Sequence, residues 1–151
     1  MLLQKKLFTV FSIFLFSTYL TGCVRAILPT SEIELIGNAR QVSTEVDLDV
    51  VSSYANLKRY MNKCLEYRNQ NGFQVVNANL DREKNRADFI GKSNFDTYTF
   101  KVSLEPLNNQ TTKMTYFSPK KKIGFNEFNP QKTLDNLKAF ALYEGKPVCK
   151  L

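Results

Sequence analysis

The chain has 151 residues, of which 21 are Lys or Arg and 14 are Asp or Glu, so its formal net charge is +7. Aromatic residues make up 13% of the chain, which indicates a packed core rather than a disordered polymer. The sequence contains no histidine. This excludes a Ser-His-Asp triad and a His-assisted cysteine nucleophile, and it removes the commonest ligand of transition metals.

The first 23 residues have the pattern of an export signal. Lys5 and Lys6 precede an apolar run over residues 7–20, which is too short to span a bilayer as a helix, since that needs about 20 apolar residues. The run ends in Leu20-Thr21-Gly22-Cys23. This stretch resembles the signal of bacterial lipoproteins, in which the chain is cleaved before the cysteine and the thiol carries the lipid. An ordinary secretory signal with an incidental cysteine is the alternative.

The resemblance implies a signal peptide over residues 1–22 and a membrane anchor, with fatty acyl groups such as palmitate, on Cys23. Val24 follows this cysteine, where lipoproteins kept in the inner membrane often have aspartate. For a cell with two membranes, the resemblance therefore implies the outer membrane, facing the periplasm. For a cell with one membrane, it implies the outer face of that membrane. Export also makes nucleic acid a poor candidate for a partner.

Two cysteines remain when the lipid-bearing one is set aside, namely Cys64 and Cys149. An even remainder in an oxidising compartment indicates a disulfide between them. Two inert buried thiols are the alternative.

The first half of the exported chain changes its periodicity twice. Residues 23–41 lack a steady pattern, and we interpret them as a tether with a short extended piece at 33–36. Residues 42–50 alternate strictly, which predicts a half-buried strand at the start of a single domain over 42–151. Apolar residues then recur every three or four positions over 51–68, which predicts an amphipathic helix ending at Asn71-Gly72.

The second half predicts four further strands and a second helix. The strands are expected at 73–80, 86–91, 97–104 and 111–118, and their short connections require antiparallel pairing. Asn129-Pro130 begins the helix, with Asn as its cap and Pro in its first position. The order β-α-β-β-β-β-α predicts an α+β two-layer sandwich of four to five strands and two helices. This order resembles the helix-grip domains of outer-membrane barrel-assembly lipoproteins and of START-like ligand-binding proteins.

The sequence contains little that would support a catalytic site. There is no Gly-rich phosphate loop, and the two cysteines match no metal-binding spacing, so no cofactor or metal is expected. Glu45, Asp47 and Asp49 share one strand face at about 6.6 Å spacing, which a glycosidase could use. Alternating acids are more often the solvent face of a strand. We therefore predict that the protein is not an enzyme.

The best candidate for a binding feature is the basic, aromatic stretch 120–128. Its cations could neutralise phosphates and its rings could enter acyl chains or a groove of a partner. The residues concerned are Lys120, Lys121, Lys122, Phe125 and Phe128. A solvated turn whose rings cover the core is the alternative.

Two functional hypotheses follow. The first is a non-enzymatic envelope lipoprotein that binds a protein partner or an anionic envelope component. The second is a periplasmic carrier of a lipid or another apolar ligand in a helix-grip-like cavity. The predicted cavity would be lined by Tyr98, Phe100, Met114, Tyr116 and Phe140.

Overall fold

A computed structural model describes residues 28–120, 129–143, 145 and 149. The described residues form three helices and six strands. The helices are α1 (Glu32–Gly37), α2 (Val50–Cys64) and α3 (Pro130–Ala141). The strands are β1 (Ala39–Val46), β2 (Tyr67–Asn69), β3 (Gly72–Asp81), β4 (Arg86–Ser93), β5 (Thr97–Pro106) and β6 (Thr112–Pro119), and a 3-10 turn (Asn94–Asp96) precedes β5.

The six strands form one antiparallel sheet in the order β1-β6-β5-β4-β3-β2. The predicted α+β class and the antiparallel pairing are confirmed. The predicted count of four to five strands and two helices is too low, and the observed order is α-β-α-β-β-β-β-β-α. The two additional elements are α1 and β2.

β2 arises where a continuing helix was expected. Helix α2 ends at Cys64, and Tyr67–Asn69 then pairs with Gly72–Gln74 across a two-residue turn. Gly72 has φ 145°, and a Cβ there would lie 2.3 Å from the side chain of Asn94. The Asn71-Gly72 signal therefore marks a hairpin and does not end a helix, because pairing with β3 outweighs helical periodicity.

Helix α1 lies within the segment expected to be an extended tether. Ser31 caps it, since its Oγ accepts a hydrogen bond from Glu34 N at 3.1 Å. The Glu34 carboxylate in turn accepts from Thr30 N at 2.8 Å. This resembles a capping box, except that the donor is the residue before the cap and not the cap itself. The folded part therefore starts before residue 42, and the interpretation of 33–36 as extended is wrong.

α1 packs against the face of the sheet opposite to α2 and α3. Leu35 of α1 is fully buried. Glu32 Oε1 lies 2.6 Å from Lys101 Nζ, and Lys101 alternates along β5 with the core residues Phe100 and Val102. The architecture is thus a two-layer sandwich with a partial third layer, which the sequence-based prediction lacked.

Lys101 is the polar centre of this second face. Its side chain is only 12% exposed, and its ammonium also lies 3.1 Å from Asp88 Oδ1. Burial alone would lower the pKa of Lys101, but hydrogen bonds and charges from Glu32 and Asp88 outweigh burial and raise it. Lys101 therefore stays charged and ties α1 to the centre of the sheet.

The main core lies between the sheet and the pair α2 and α3. The expected period-two faces are present, with Val46, Phe89, Val102 and Leu104 among the fully buried side chains. Tyr98 is the exception. A bulge shifts the register between Gly91 and Lys92, so that Tyr98 pairs with Lys92 and leaves the core face.

Several contacts join α2 to α3 and to the chain beyond α3. Cys64 and Cys149 form the predicted disulfide, with their Cα atoms 5.3 Å apart. Asn56 Nδ2 donates to Ala141 O at 2.8 Å. The rings of Tyr60 and Phe140 stack with 3.7 Å between their centroids.

Asp49 caps α2, and its removal is expected to destabilise the domain by about 1 kcal/mol at neutral pH. Asp49 Oδ1 accepts from Ser52 N at 3.0 Å. Hydrogen bonds from the Ser52 side chain and backbone hold the pKa of Asp49 below 3.8, its ordinary value. A depressed pKa gives stability that is present above the unfolded-state pKa and is lost as the pH falls through the folded-state value.

Urea unfolding of wild type and Asp49→Ala from pH 7 down to pH values below the ordinary Asp range checks this. The difference between the two is expected to shrink as the pH falls. Asp49→Asn is the control, because its neutral amide caps nearly as well as the carboxylate. The difference in free energy of unfolding between Asp49→Asn and Asp49→Ala should not depend on pH. If the difference between the wild type and Asp49→Ala also stays constant with pH, the prediction is contradicted.

Candidate ligand-binding cavity

A cavity of about 210 Å³ lies between α2, α3 and the sheet. Its apolar and aromatic lining comes from Tyr60 and Leu65 near the end of α2, Phe100 and Tyr116 on the sheet, and Leu137 on α3. Gln74, Thr133 and Asn136 add polar groups. An apolar lining with a few polar groups is typical of small-molecule sites.

The polar groups of the lining have distinct surroundings. Gln74 Nε2 donates to Leu65 O at 3.0 Å, which fixes the amide beside the end of α2. Asn136 is exposed and Thr133 is half-buried, so these two residues lie where the cavity meets solvent. Burial raises the pKa of both Tyr60 and Tyr116 above the ordinary tyrosine value of 10, so both phenols remain neutral at physiological pH.

The volume limits what the cavity can hold. Pockets for drug-sized molecules have about 300–1,000 Å³, whereas an apolar cavity of about 150 Å³ accommodates benzene. A volume of 210 Å³ therefore suits one aromatic ring or the end of an acyl chain, and not a whole lipid. Of the described residues that line it, none carries a carboxylate, an amine or a thiol.

The five residues predicted to line a cavity are only partly brought together. Phe100 and Tyr116 are in the lining. Met114 is fully buried elsewhere in the core, Phe140 stacks on Tyr60, and Tyr98 is on the other face of the sheet. The sequence pattern predicted α3 and its apolar stripe, but it did not indicate that Thr133 and Asn136 line a cavity.

The three carboxylates considered for catalysis do not converge on an enclosed site. Glu45 is exposed and lies opposite Lys113 on the neighbouring strand. Asp47 and Asp49 border an open depression of about 410 Å³ beside the β5–β6 turn, and Asp49 is committed to the α2 cap. Within the described residues there is no group of three or more Cys, Asp or Glu that could hold a metal ion.

Several predicted site residues lie outside the described part of the chain. They are the lipidation residue Cys23 and four residues of the basic stretch, Lys121, Lys122, Phe125 and Phe128. Lys120 is described, and it is exposed directly after β6. Among the described helices, none has the length and apolar character needed to cross a bilayer.

Comparisons with known proteins give little guidance. No family model matches the chain, and no curated protein matches its sequence. Among solved structures, it is similar to a START superfamily protein from Mycobacterium smegmatis, with 13% sequence identity and a TM-score of 0.35. That likeness covers 69% of this chain and 90% of the mycobacterial chain. A similarity this weak supports no conclusion about ligand or function.

Proposed function

We propose that this protein is a lipid-anchored envelope protein, without catalytic activity, whose domain binds a small apolar group in the cavity beside Phe100 and Tyr116. The cavity is the observation that carries the binding role, because it combines an aromatic lining with a mostly apolar volume that opens to solvent on one side. The lipoprotein-like signal ending at Cys23 supports the anchor, and Val24 supports the outer membrane, facing the periplasm.

The ligand class follows from the size and polarity of the cavity. Transfer of an apolar group from water is favourable by about 25 cal/mol per Å² of buried surface, so a ring or acyl end gains most of its binding free energy by burial. The neutral phenols of Tyr60 and Tyr116 and the amide of Gln74 suit an uncharged polar atom on such a group. Charged ligands would lose hydration there without a compensating ion.

Binding of a protein partner or an anionic envelope component remains a second proposal. Its candidate residues are those of the basic stretch, of which Lys120 is exposed.

Filling the cavity is expected to abolish ligand binding. Benzene and octanol are suitable probes, since both are uncharged, and they are titrated to about millimolar concentration because a Kd of 1 mM corresponds to about −4 kcal/mol. We expect NMR shifts of the methyl groups of Leu65 and Leu137 in the wild type. Thr133→Phe places a ring in the cavity, and we expect it to weaken binding by at least about tenfold, the equivalent of about 1.4 kcal/mol.

Gln131→Phe is the matched control, since it introduces the same ring at an exposed position of α3 that does not line the cavity. It should bind both probes as the wild type does. Absence of methyl shifts in the wild type, or equal binding by Thr133→Phe and Gln131→Phe, would reject the binding role.

The anchor has its own test. Cys23→Ala removes the thiol that would carry the lipid, so the exported domain should move from the membrane fraction to the soluble envelope fraction. Cell fractionation with mass spectrometry of the N-terminal peptide measures this. Cys64→Ala/Cys149→Ala is the control, because it removes the other two cysteines and should leave the protein on the membrane. Retention of Cys23→Ala in membranes would reject the lipid anchor.

A further inference from the structure

The chain is fixed to the domain almost as soon as it leaves the proposed anchor. Pro29 is buried, and its carbonyl oxygen accepts a hydrogen bond from Tyr98 N at 2.8 Å. Helix α1 follows at once and is held by buried Leu35 and by the Glu32–Lys101 ion pair. No long free linker therefore separates the sheet from residue 23.

Chain length then limits how far the domain can lie from the bilayer. Six residues along the chain separate Cys23 from Pro29, and a fully extended chain of that length spans at most about 20 Å. A domain of this size has a radius of gyration of about 14 Å, so its diameter exceeds the reach of the tether. A lipid on Cys23 therefore keeps the Tyr98 end of the sheet towards the membrane.

The surface at this end has the residue types of a membrane interface. Tyr98 and Lys92 are paired neighbours on β5 and β4, and the ammonium lies 4.7 Å from the ring centroid. Phe73 and Arg68 are paired on β3 and β2, with the guanidinium 5.8 Å from the ring centroid. Each of the four lies within two residues of the end of its strand.

All four side chains share a face with α1, opposite to the main core. Val75, Lys92 and Tyr98 are aligned across three strands, and Val75 alternates with the core residue Val76. On α1, the side chain of Ile33 is 86% exposed, which is unusual for a large apolar residue on a helix whose Leu35 is buried. Ile33, Arg68, Phe73, Lys92 and Tyr98 together are named the anchor surface.

We infer that the anchor surface docks on a bilayer that contains anionic lipids. This inference rests on the proposed lipid anchor at Cys23. Tyrosine rings favour the level of the headgroups, Ile33 can enter the acyl boundary, and cations near the surface attract anionic lipid. Asp96 and Glu34 are exposed acids at this end, and Glu34 is hydrogen-bonded to Thr30 N.

Docking on the bilayer would also determine where the cavity lies relative to the membrane. The cavity residues on the sheet, Gln74, Phe100 and Tyr116, each lie within three residues of an end of their strand. These three strand ends are at the same end of the sheet as Tyr98. The cavity therefore belongs to the membrane-facing half of the domain. A ligand with an acyl chain would have a short path from the bilayer.

The absence of tryptophan from the sequence allows a direct test. Ile33→Trp, Tyr98→Trp and Leu107→Trp each give the acylated protein a single tryptophan. Leu107 is 49% exposed in the turn between β5 and β6, at the other end of the sheet, so its replacement is the matched control. The proteins are reconstituted on phosphatidylethanolamine–phosphatidylglycerol vesicles that carry a nitroxide quencher at the headgroup.

We expect strong quenching and a blue-shifted emission for the tryptophans at positions 33 and 98, and neither effect at 107. Lys92→Gln in the Tyr98→Trp background should reduce the blue shift, and Lys84→Gln at the far end should not. Ile33→Trp keeps the test valid where a core-adjacent change would disturb folding, since this position is exposed. Equal quenching at all three positions, or strongest quenching at 107, would overturn the inference.

Flotation of the same vesicles distinguishes a failure of the lipid anchor at Cys23 from a failure of the inferred orientation. Wild type that floats while Cys23→Ala does not, together with equal quenching at both ends, would leave the anchor standing and reject the orientation. Wild type that fails to float would reject the anchor and the orientation with it.

Discussion

Loss of the Cys64–Cys149 disulfide is expected to lower the free energy of unfolding by about 4–5 kcal/mol, which is the chain-entropy cost for a closed loop of this length. The two cysteines are 85 positions apart, so the bond restricts most of the domain in the unfolded state. Small domains are stable by only about 5–15 kcal/mol, so the change would remove a large part of the total.

The loss of stability is expected to arise mainly in the unfolded chain, because other contacts still hold the folded domain together without the disulfide. The Asn56–Ala141 hydrogen bond and the Tyr60–Phe140 stacking still join α2 to α3 after reduction. We therefore expect a native far-UV spectrum, a lower midpoint and a steeper dependence on denaturant, because the open unfolded chain exposes more surface.

Denaturant unfolding of Cys64→Ser/Cys149→Ser against the oxidised wild type measures the effect. Adding a reductant should change the wild type and leave the double variant unaltered. Equal midpoints for the oxidised wild type and the double variant would contradict the prediction.

Replacing Leu35 by alanine is expected to cost about 2–5 kcal/mol, the usual range for a buried leucine. Leu35 is fully buried although it lies in a six-residue helix outside the main core. Truncation leaves a void between α1 and the sheet, and it weakens the attachment that Glu32 and Lys101 also support.

Ile33→Ala is the matched control on the same helix. Its side chain is 86% exposed, so the change should stay within about 0.5 kcal/mol. Thermal or urea unfolding of both variants gives the comparison. If residues 31–37 were a passive tether, the two substitutions would have equal and small effects.

Patterns that depend only on neighbouring residues predicted much of the fold. The alternation of Val42, Thr44 and Val46 predicted β1, although the strand ends at Val46 and not at residue 50, where α2 has already begun. Asn129-Pro130 predicted the start of α3, with Asn129 accepting from Gln131 N at 3.0 Å. These signals succeed because the side chains that set them lie within one strand or one helical turn.

Features that depend on distant partners were missed. β2 has three residues, all exposed, and it exists through pairing with β3. The displacement of Tyr98 follows from a register shift against β4, which alternation within β5 does not reveal. α1 carried a local signal, since Ser31 and Glu34 have capping-box spacing, but its single buried residue gave no periodicity.

The candidate site was the least predictable part. Two aromatic residues of the cavity lie on predicted inward faces, whereas the volume itself depends on the gap between α2 and α3 above the sheet. Such a gap is set by the packing of whole elements, and no short pattern encodes it.

The position of β1 at the edge beside β6 has a consequence for how the protein matures. Ser43 and Thr115, whose hydroxyls lie 3.0 Å apart on these strands, are 72 positions apart in the chain. During synthesis the N-terminal strand emerges long before its partner, and pairing over such separations is slow. The edge between β1 and β6 therefore closes only after β6 is available, so β1 lacks its neighbour while most of the chain is still being made.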